Sequence, residues 1–335
     1  MKNRGKVHLT LYLFGLAGVA LFTVLLIRQG SGDVVAAFRK AGWAIALVTA
    51  FHLIPLFLDA VAWWVLFPRE TRLSLWTLTW MRWIGEAVSA LVPSAAVGGD
   101  IVRTRLAATY DVPLRLGAGT VLVDLTLGVF TQLPFTLLGL WLLVEVTGSR
   151  SFVAPTLLAA LTGTIAVAGF YFVQRLGMFR FIGMLVARLA RSSEWQSLVE
   201  GGHALDQTLR ELYARRSGVI WCCVATIASL ILASGEVYIA LYALGVEATI
   251  AKAIILQSCV TTIRVAMFPV PGAIGVQEGG YLFVGNLLGI PGETAFALSL
   301  IARVRELAIG VPGVIAWQFF EGRRLLGRSE VAAAD

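Results

Sequence analysis

Apolar positions in this chain neither alternate with polar ones nor recur as a stripe. They gather into uninterrupted runs at residues 9–27, 43–67, 116–146, 152–173, 219–244 and 294–319. A helix rises about 1.5 Å per residue, so about 20 apolar residues cross a hydrocarbon core of roughly 30 Å. The pattern therefore predicts six full membrane spans. Two further apolar stretches, 75–110 and 250–288, are broken near their middles by Pro and Gly, at 93–99 and 269–275. Each is either a pair of crossing helices or one re-entrant helical hairpin, because both return the chain to the face it left. The predicted fold is an all-α polytopic membrane protein, one integral domain over 1–335 with an internal repeat. It divides into an N-terminal span and loop (1–42), a first repeat (43–147), a span and amphipathic linker (148–217), a second repeat (218–320) and a tail (321–335).

The repeat is carried by the broken stretches. Val92-Pro93 followed by Gly99 matches Phe268-Pro269 followed by Gly275, with the same Pro-to-Gly interval. Each break is preceded by one long apolar run and followed by a turn-forming Pro113 or Pro291 and another long run. The unit is span, broken hairpin, span.

Composition agrees with the runs. Hydrophobic residues make up 58% of the 335 and charged ones 14%, with a mean hydropathy of +0.81, against about a quarter charged in a soluble domain. The net charge of +7 does not point to nucleic acid, because the Arg residues lie in short loops beside apolar runs and form no single basic face. They read as topology signals. With the N-terminus in the cytoplasm, the cytoplasmic segments hold most of the 27 Lys and Arg, as the positive-inside rule requires. The first hairpin then enters from the cytoplasm and the second from the opposite side, an inverted repeat of the kind that builds secondary transporters. An old duplication that now only packs is the competing reading. The run at 9–27, after Lys2, Arg4 and Lys6, is too long for a cleavable signal and reads as a retained span. Phe179, Ile182, Leu185, Val186 and Leu189 recur at helical spacing among Arg180, Arg188 and Arg191. That segment is either a helix lying on an anionic membrane surface or a plain linker. Cys222, Cys223 and Cys259 lie in apolar segments without zinc-site or disulfide spacing.

The charges inside or close to the apolar stretches are the candidate chemistry: Asp59, Glu86, Asp100, Asp124, Glu236, Arg264, Glu278, Arg303, Arg305 and Glu306. A central Asp or Arg costs roughly 2.5 to 3.5 kcal/mol, so such residues face a partner or a wet path. Ion pairs that only fix helix packing are the alternative. Asp124 and Arg303 both fall roughly 12 to 14 Å into their spans, which predicts that they meet near the midplane as a polar latch. Arg305 and Glu306 point elsewhere and are expected to pair with Glu278 or Glu236. His52 reads either as a proton relay toward Asp59 or as a satisfied interior histidine. No nucleophile with an oriented base, phosphate-binding Gly loop or metal cluster is legible, and Gly98-Gly99 lacks a following Gly-Lys-Ser. The expectation is a non-enzyme without cofactor or metal.

The segments Pro93-Ser-Ala-Ala-Val-Gly98-Gly99-Asp100-Ile-Val-Arg103 and Phe268-Pro269-Val-Pro271-Gly272-Ala-Ile-Gly275-Val-Gln-Glu278 resemble the flippase-like family built on the membrane region of lysylphosphatidylglycerol synthase. Val123-Asp124-Leu-Thr-Leu-Gly-Val-Phe-Thr-Gln132 is similar to its hopanoid-biosynthesis-associated branch. The resemblance implies transfer of a hopanoid or phospholipid between leaflets or onward export in a bacterial cytoplasmic membrane, with hopanoid-biosynthesis or export proteins as partners. The family's motif positions fall on Glu86, Pro93, Gly98, Gly99, Asp100 and Arg103, and on Pro269, Pro271, Gly272, Gly275, Glu278 and Arg303. Two departures stand out: Asp124 alone occupies the third span where many relatives carry a Glu-Arg pair, and Ala273 replaces a second Gly. Lysyl-transferring synthases carry a long soluble region after the membrane part, so the expectation here is transport without group transfer. A lipid-modifying enzyme using Glu86, Asp100 and Glu278, or a scaffold for hopanoid enzymes, are the other two readings.

Overall fold

A backbone in hydrocarbon must satisfy its own hydrogen bonds, and helices do so within one segment. The computed structural model describes residues 36, 39, 41–92, 98–148, 153–178, 195–267 and 273–332, and the described elements are helical without any strand. Helix α1 (Ala44–Phe51) and α2 (Leu53–Trp64) follow one axis, jointed at His52. Pro55 explains the joint, since it has no N–H for the Phe51 carbonyl and its ring crowds that oxygen. A 3₁₀ turn (Arg69–Thr71) leads to α3 (Leu75–Leu91), whose N-terminus is capped by Ser74 accepting from the Thr77 N–H. Then come α4 (Gly98–Ala108), α5 (Leu114–Thr147), α6 (Val153–Arg175), α7 (Trp195–Ala214) and α8 (Arg216–Ala243). Gly148, with φ +63°, ends α5 in the left-handed conformation that glycine adopts without strain. Helix α9 (Ile250–Ala266), capped by Thr249, precedes α10 (Val276–Leu287) and α11 (Gly292–Ala332).

Two apolar cores form. The first gathers Trp63 of α2 and Phe67 just beyond it, Met81 and Ile84 of α3, Leu106 of α4, Val123 of α5 and Cys222 of α8. The second gathers Val48 of α1, Leu143 of α5, Leu241 of α8, Leu256 of α9, Tyr281 of α10 and Ile301 of α11. The long elements thread both. Helices α1–α2 and α11 run from the second core toward the first, where Trp317 and Phe320 pack, whereas α5 and α8 run from the first to the second. The short pairs do not thread: α3–α4 packs in the first core and α9–α10 in the second, at opposite ends of the long helices.

The spans differ in detail from the predicted six. Three described helices are long and apolar enough to cross a membrane: Ala44–Trp64, Leu114–Thr147 and Arg216–Ala243. The predicted run at 152–173 lies in α6, whose apolar part is the shorter Leu161–Gln174. The run at 294–319 becomes part of the 41-residue α11, whose Arg303, Arg305 and Glu306 interrupt its apolar character. The predicted span at 9–27, the segment 179–191, and Pro93, Pro269, Pro271 and Gly272 lie outside the described residues. Large apolar side chains such as Trp141, Phe172, Trp221, Ile231 and Phe283 face outward, while Arg103, Asp124, Glu236 and Glu278 are buried. An apolar exterior around a charged interior is the arrangement a bilayer demands.

Candidate functional site

The interior charges divide into two groups joined by α3. Arg82 and Glu86 are four residues apart and so share one face of that helix. Arg82 reaches Asp59 of α2 (3.3 Å) and Asp124 of α5 (2.6 Å). Helix α4 supplies Arg103, which bonds Asp124 at 2.8 Å and Asp100 at 2.6 Å. One oxygen of Asp124 thus accepts from two guanidiniums. Arg103 is 3% exposed, with its guanidinium 5.0 Å from the centre of the Trp63 ring. Gly99 makes this geometry possible: a Cβ there would overlap the Gly85 carbonyl oxygen, so only glycine lets α4 cross α3 closely enough to deliver Asp100 and Arg103.

On the other side of Glu86 stands His52, held at the joint between α1 and α2. Its Nε2 lies 2.8 Å from Glu86 and its Nδ1 2.9 Å from Glu236 of α8. Arg305 of α11 donates to Glu236 (2.8 Å) and places the same Nη1 2.6 Å from His52 Nδ1. A neutral imidazole with its proton on Nε2 donates to Glu86 and accepts from Arg305; an imidazolium donates to both carboxylates. The ring can therefore hold or pass a proton between two acids. Beyond Arg305, Glu306 accepts from Arg303 at 2.9 Å. Arg264 approaches Glu306 at 2.8 Å as a charge pair without hydrogen-bond alignment. Arg303 closes the series on Glu278 (2.8 Å) and on the Ala273 carbonyl (2.9 Å). Glu278, 0% exposed, also accepts from the Gly275 N–H at 2.7 Å, holding the start of α10. Gly275 has φ +78°, and Ala273 has φ +47° without being glycine.

Small polar cavities flank this second group. One of about 40 Å³ is lined by Glu236, Arg264, Gln277, Tyr281 and Arg305, and one of about 10 Å³ by His52, Glu86, Arg305 and Glu306. The larger has room for water. Both side-chain polar atoms of Gln277 and the Nε of Arg305 are buried without a hydrogen-bond partner among the described residues. No group of three or more metal-ligating side chains occurs among the described residues.

The predicted latch between Asp124 and Arg303 does not form. Asp124 is taken by Arg82 and Arg103, and Arg303 by Glu278 and Glu306, because each charge sits level with the short helix pair at its own end of the bundle. Equal depth says nothing about which way a side chain faces. Arg305 does pair with Glu236, whereas Glu306 pairs with Arg303. His52 bonds Glu86 and Glu236, not Asp59. Arg82 was not singled out by the sequence, although a charge one turn before Glu86 in an apolar stretch was the available signal.

Helices with an apolar exterior, three of them long enough to span a bilayer, around a charged interior define a polytopic membrane protein. The chain belongs to the family described as the lysylphosphatidylglycerol synthase TM region, whose model matches residues 12–313. It is also similar to the UPF0104 membrane protein of Methanothermobacter thermautotrophicus, 22% identical over 341 residues and covering 96% of both chains. No solved structure matches it.

Proposed function

We propose that this protein is a flippase-like lipid transporter whose two halves, related by an inverted repeat, alternate access to a lipid path lined by the Pro-Gly hairpins. The observation that carries the reading is the placement of α3–α4 and α9–α10 at opposite ends of the bundle, with charges strung between them. Each pair lies between two long helices, and the order of the cores along those helices is reversed from one unit to the other. Alternating access works by rocking such halves about a central site. A capacity to hold lipid is supported by an apolar cavity of about 340 Å³ between α5, α6, α7 and α8, away from the hairpins, walled by Leu127, Phe130, Leu133, Tyr171 and Phe172. Its polar end is a chain in which Tyr213 donates to Gln174 and Gln174 to Thr126. Such a pocket suits an apolar body with one polar group, as in a hopanoid or part of a phospholipid. The membrane is the bacterial cytoplasmic membrane with both termini cytoplasmic, and the partners are the lipid and hopanoid-biosynthesis or export proteins.

Reconstitution into vesicles carrying a labelled phospholipid or hopanoid tests the proposal. Movement of unmodified lipid between leaflets supports it. Chemical conversion of the probe favours an intramembrane lipid-modifying enzyme. Of the three carboxylates in that reading, Asp100 and Glu278 are tied to arginines, which leaves Glu86 against His52 as the acid-base pair. Neither movement nor conversion favours a scaffold.

A further inference from the structure

Away from the interior charges, four arginines converge where the turn between α2 and α3 meets the start of α8. Arg69, Arg72, Arg215 and Arg216 line an open cavity of about 720 Å³ together with Ser217 and Trp221. None of the four has a carboxylate within 4.0 Å among the described residues, whereas Arg82, Arg103, Arg264, Arg303 and Arg305 each have one. Two are fixed in place. Arg215 donates to the carbonyls of Leu66 (2.8 Å) and Phe67 (3.2 Å), and Arg72 donates to Phe67 (3.1 Å) while lying 4.2 Å from the centre of the Trp64 ring. The Nε of Arg72 is buried and has no hydrogen-bond partner among the described residues. Burial, then the neighbouring Arg215 and Arg69, hold Arg72 below its ordinary value, and the nearby Glu70 offsets this only in part.

The backbone adds to the field. Helix α8 has 28 residues and its N-terminus, at Arg216, has no side-chain cap. Its free N–H groups and the positive end of its dipole favour an anion. Ser217 can donate a further hydrogen bond, and the exposed Trp221 lies one turn on, a residue type that favours the membrane interface. Glu70, which also lines the cavity, is exposed and makes no ion pair among the described residues.

We infer that this cavity binds a phosphate group, with Arg72 and Arg215 as a preformed floor and Arg69 and Arg216 as mobile clamps. The positive-inside rule puts it at the cytoplasmic headgroup level. The chemistry is shared by the head of an anionic phospholipid and by a free phosphate anion, and the site stands apart from the proposed lipid path.

Native mass spectrometry of the purified full chain with phosphatidylglycerol, phosphatidylcholine or inorganic phosphate tests it. The wild type should retain phosphatidylglycerol in preference to phosphatidylcholine, and a double variant, Arg69→Gln with Arg216→Gln, should weaken retention by about tenfold or more. Both are exposed and make no ion pair or side-chain hydrogen bond among the described residues, so the thermal midpoint without added lipid should be unchanged; Arg115→Gln, an exposed control, should retain lipid like wild type. Competition by inorganic phosphate assigns the site to the free anion, and resistance to it assigns the lipid head. Equal retention of the two lipids by wild type with no phosphate binding, or undiminished retention by the double variant, overturns the proposal. The readout is binding, so loss of lipid movement in vesicles leaves it untouched.

Discussion

The two interior charge groups hold similar residues and do different work. Around α4, every link joins a guanidinium to a carboxylate, and Asp124 is gripped by Arg82 and Arg103 together. Around α11, a histidine stands between two carboxylates, a cavity with room for water lies beside Glu236 and Arg305, and Arg305 and Gln277 keep polar atoms without hydrogen-bond partners among the described residues. In the first group each carboxylate is held by a guanidinium, so we read it as a lock. The second has a proton to move and polar groups able to change partners. If the proposed transport function holds, that asymmetry would place anchoring at one end and gating at the other.

The comparison breaks most easily at Arg82. Arg82→Met leaves half-buried Asp59 without its guanidinium and buried Asp124 with one in place of two, and should destabilise the protein by about 3 kcal/mol, the lower end of the cost of orphaning a buried charge, seen as a large drop in thermal midpoint in detergent. Gly99→Ala comes next. Its methyl group meets backbone that cannot swing aside, and the overpacking should cost about 1–3 kcal/mol. If either variant is as stable as wild type, the first group is not a lock.

His52→Gln sharpens the other side. The amide can still bond both acids, so stability should change by about 1 kcal/mol or less, while most lipid movement is lost because glutamine carries no proton. Parallel loss of stability and transport would make the second group a lock as well. The smallest effect is expected at Ala273. Its φ of +47° strains an L-residue, and Ala273→Gly should stabilise by at most about 1 kcal/mol, since the added freedom of the unfolded chain offsets part of the relief.

The existence of the interior charges was legible from the sequence, and so was the order of long helix, short helix pair and long helix that positions them. The pairings were not. Asp124 and Arg303 share a depth, but facing direction depends on how helices far apart in sequence pack, and each charge is captured by the nearer hairpin. The spacing pattern also equates Gly99 with Gly275, yet their roles differ. Gly99 permits a close helix crossing, which only the position of α3 reveals, and Gly275 supplies a positive φ at the start of α10. His52 was visible as a buried titratable group, but its partners Glu86 and Glu236 are 34 and 184 residues away.

The account depends on the two hairpins opening to opposite faces. With Cys222, Cys223 and Cys259 replaced, single variants Ala95→Cys and Ala273→Cys can be labelled in oriented vesicles with a membrane-impermeant maleimide. The account predicts reaction of Ala95→Cys from the cytoplasmic face and of Ala273→Cys from the opposite one. Reaction of both from the same face would contradict it.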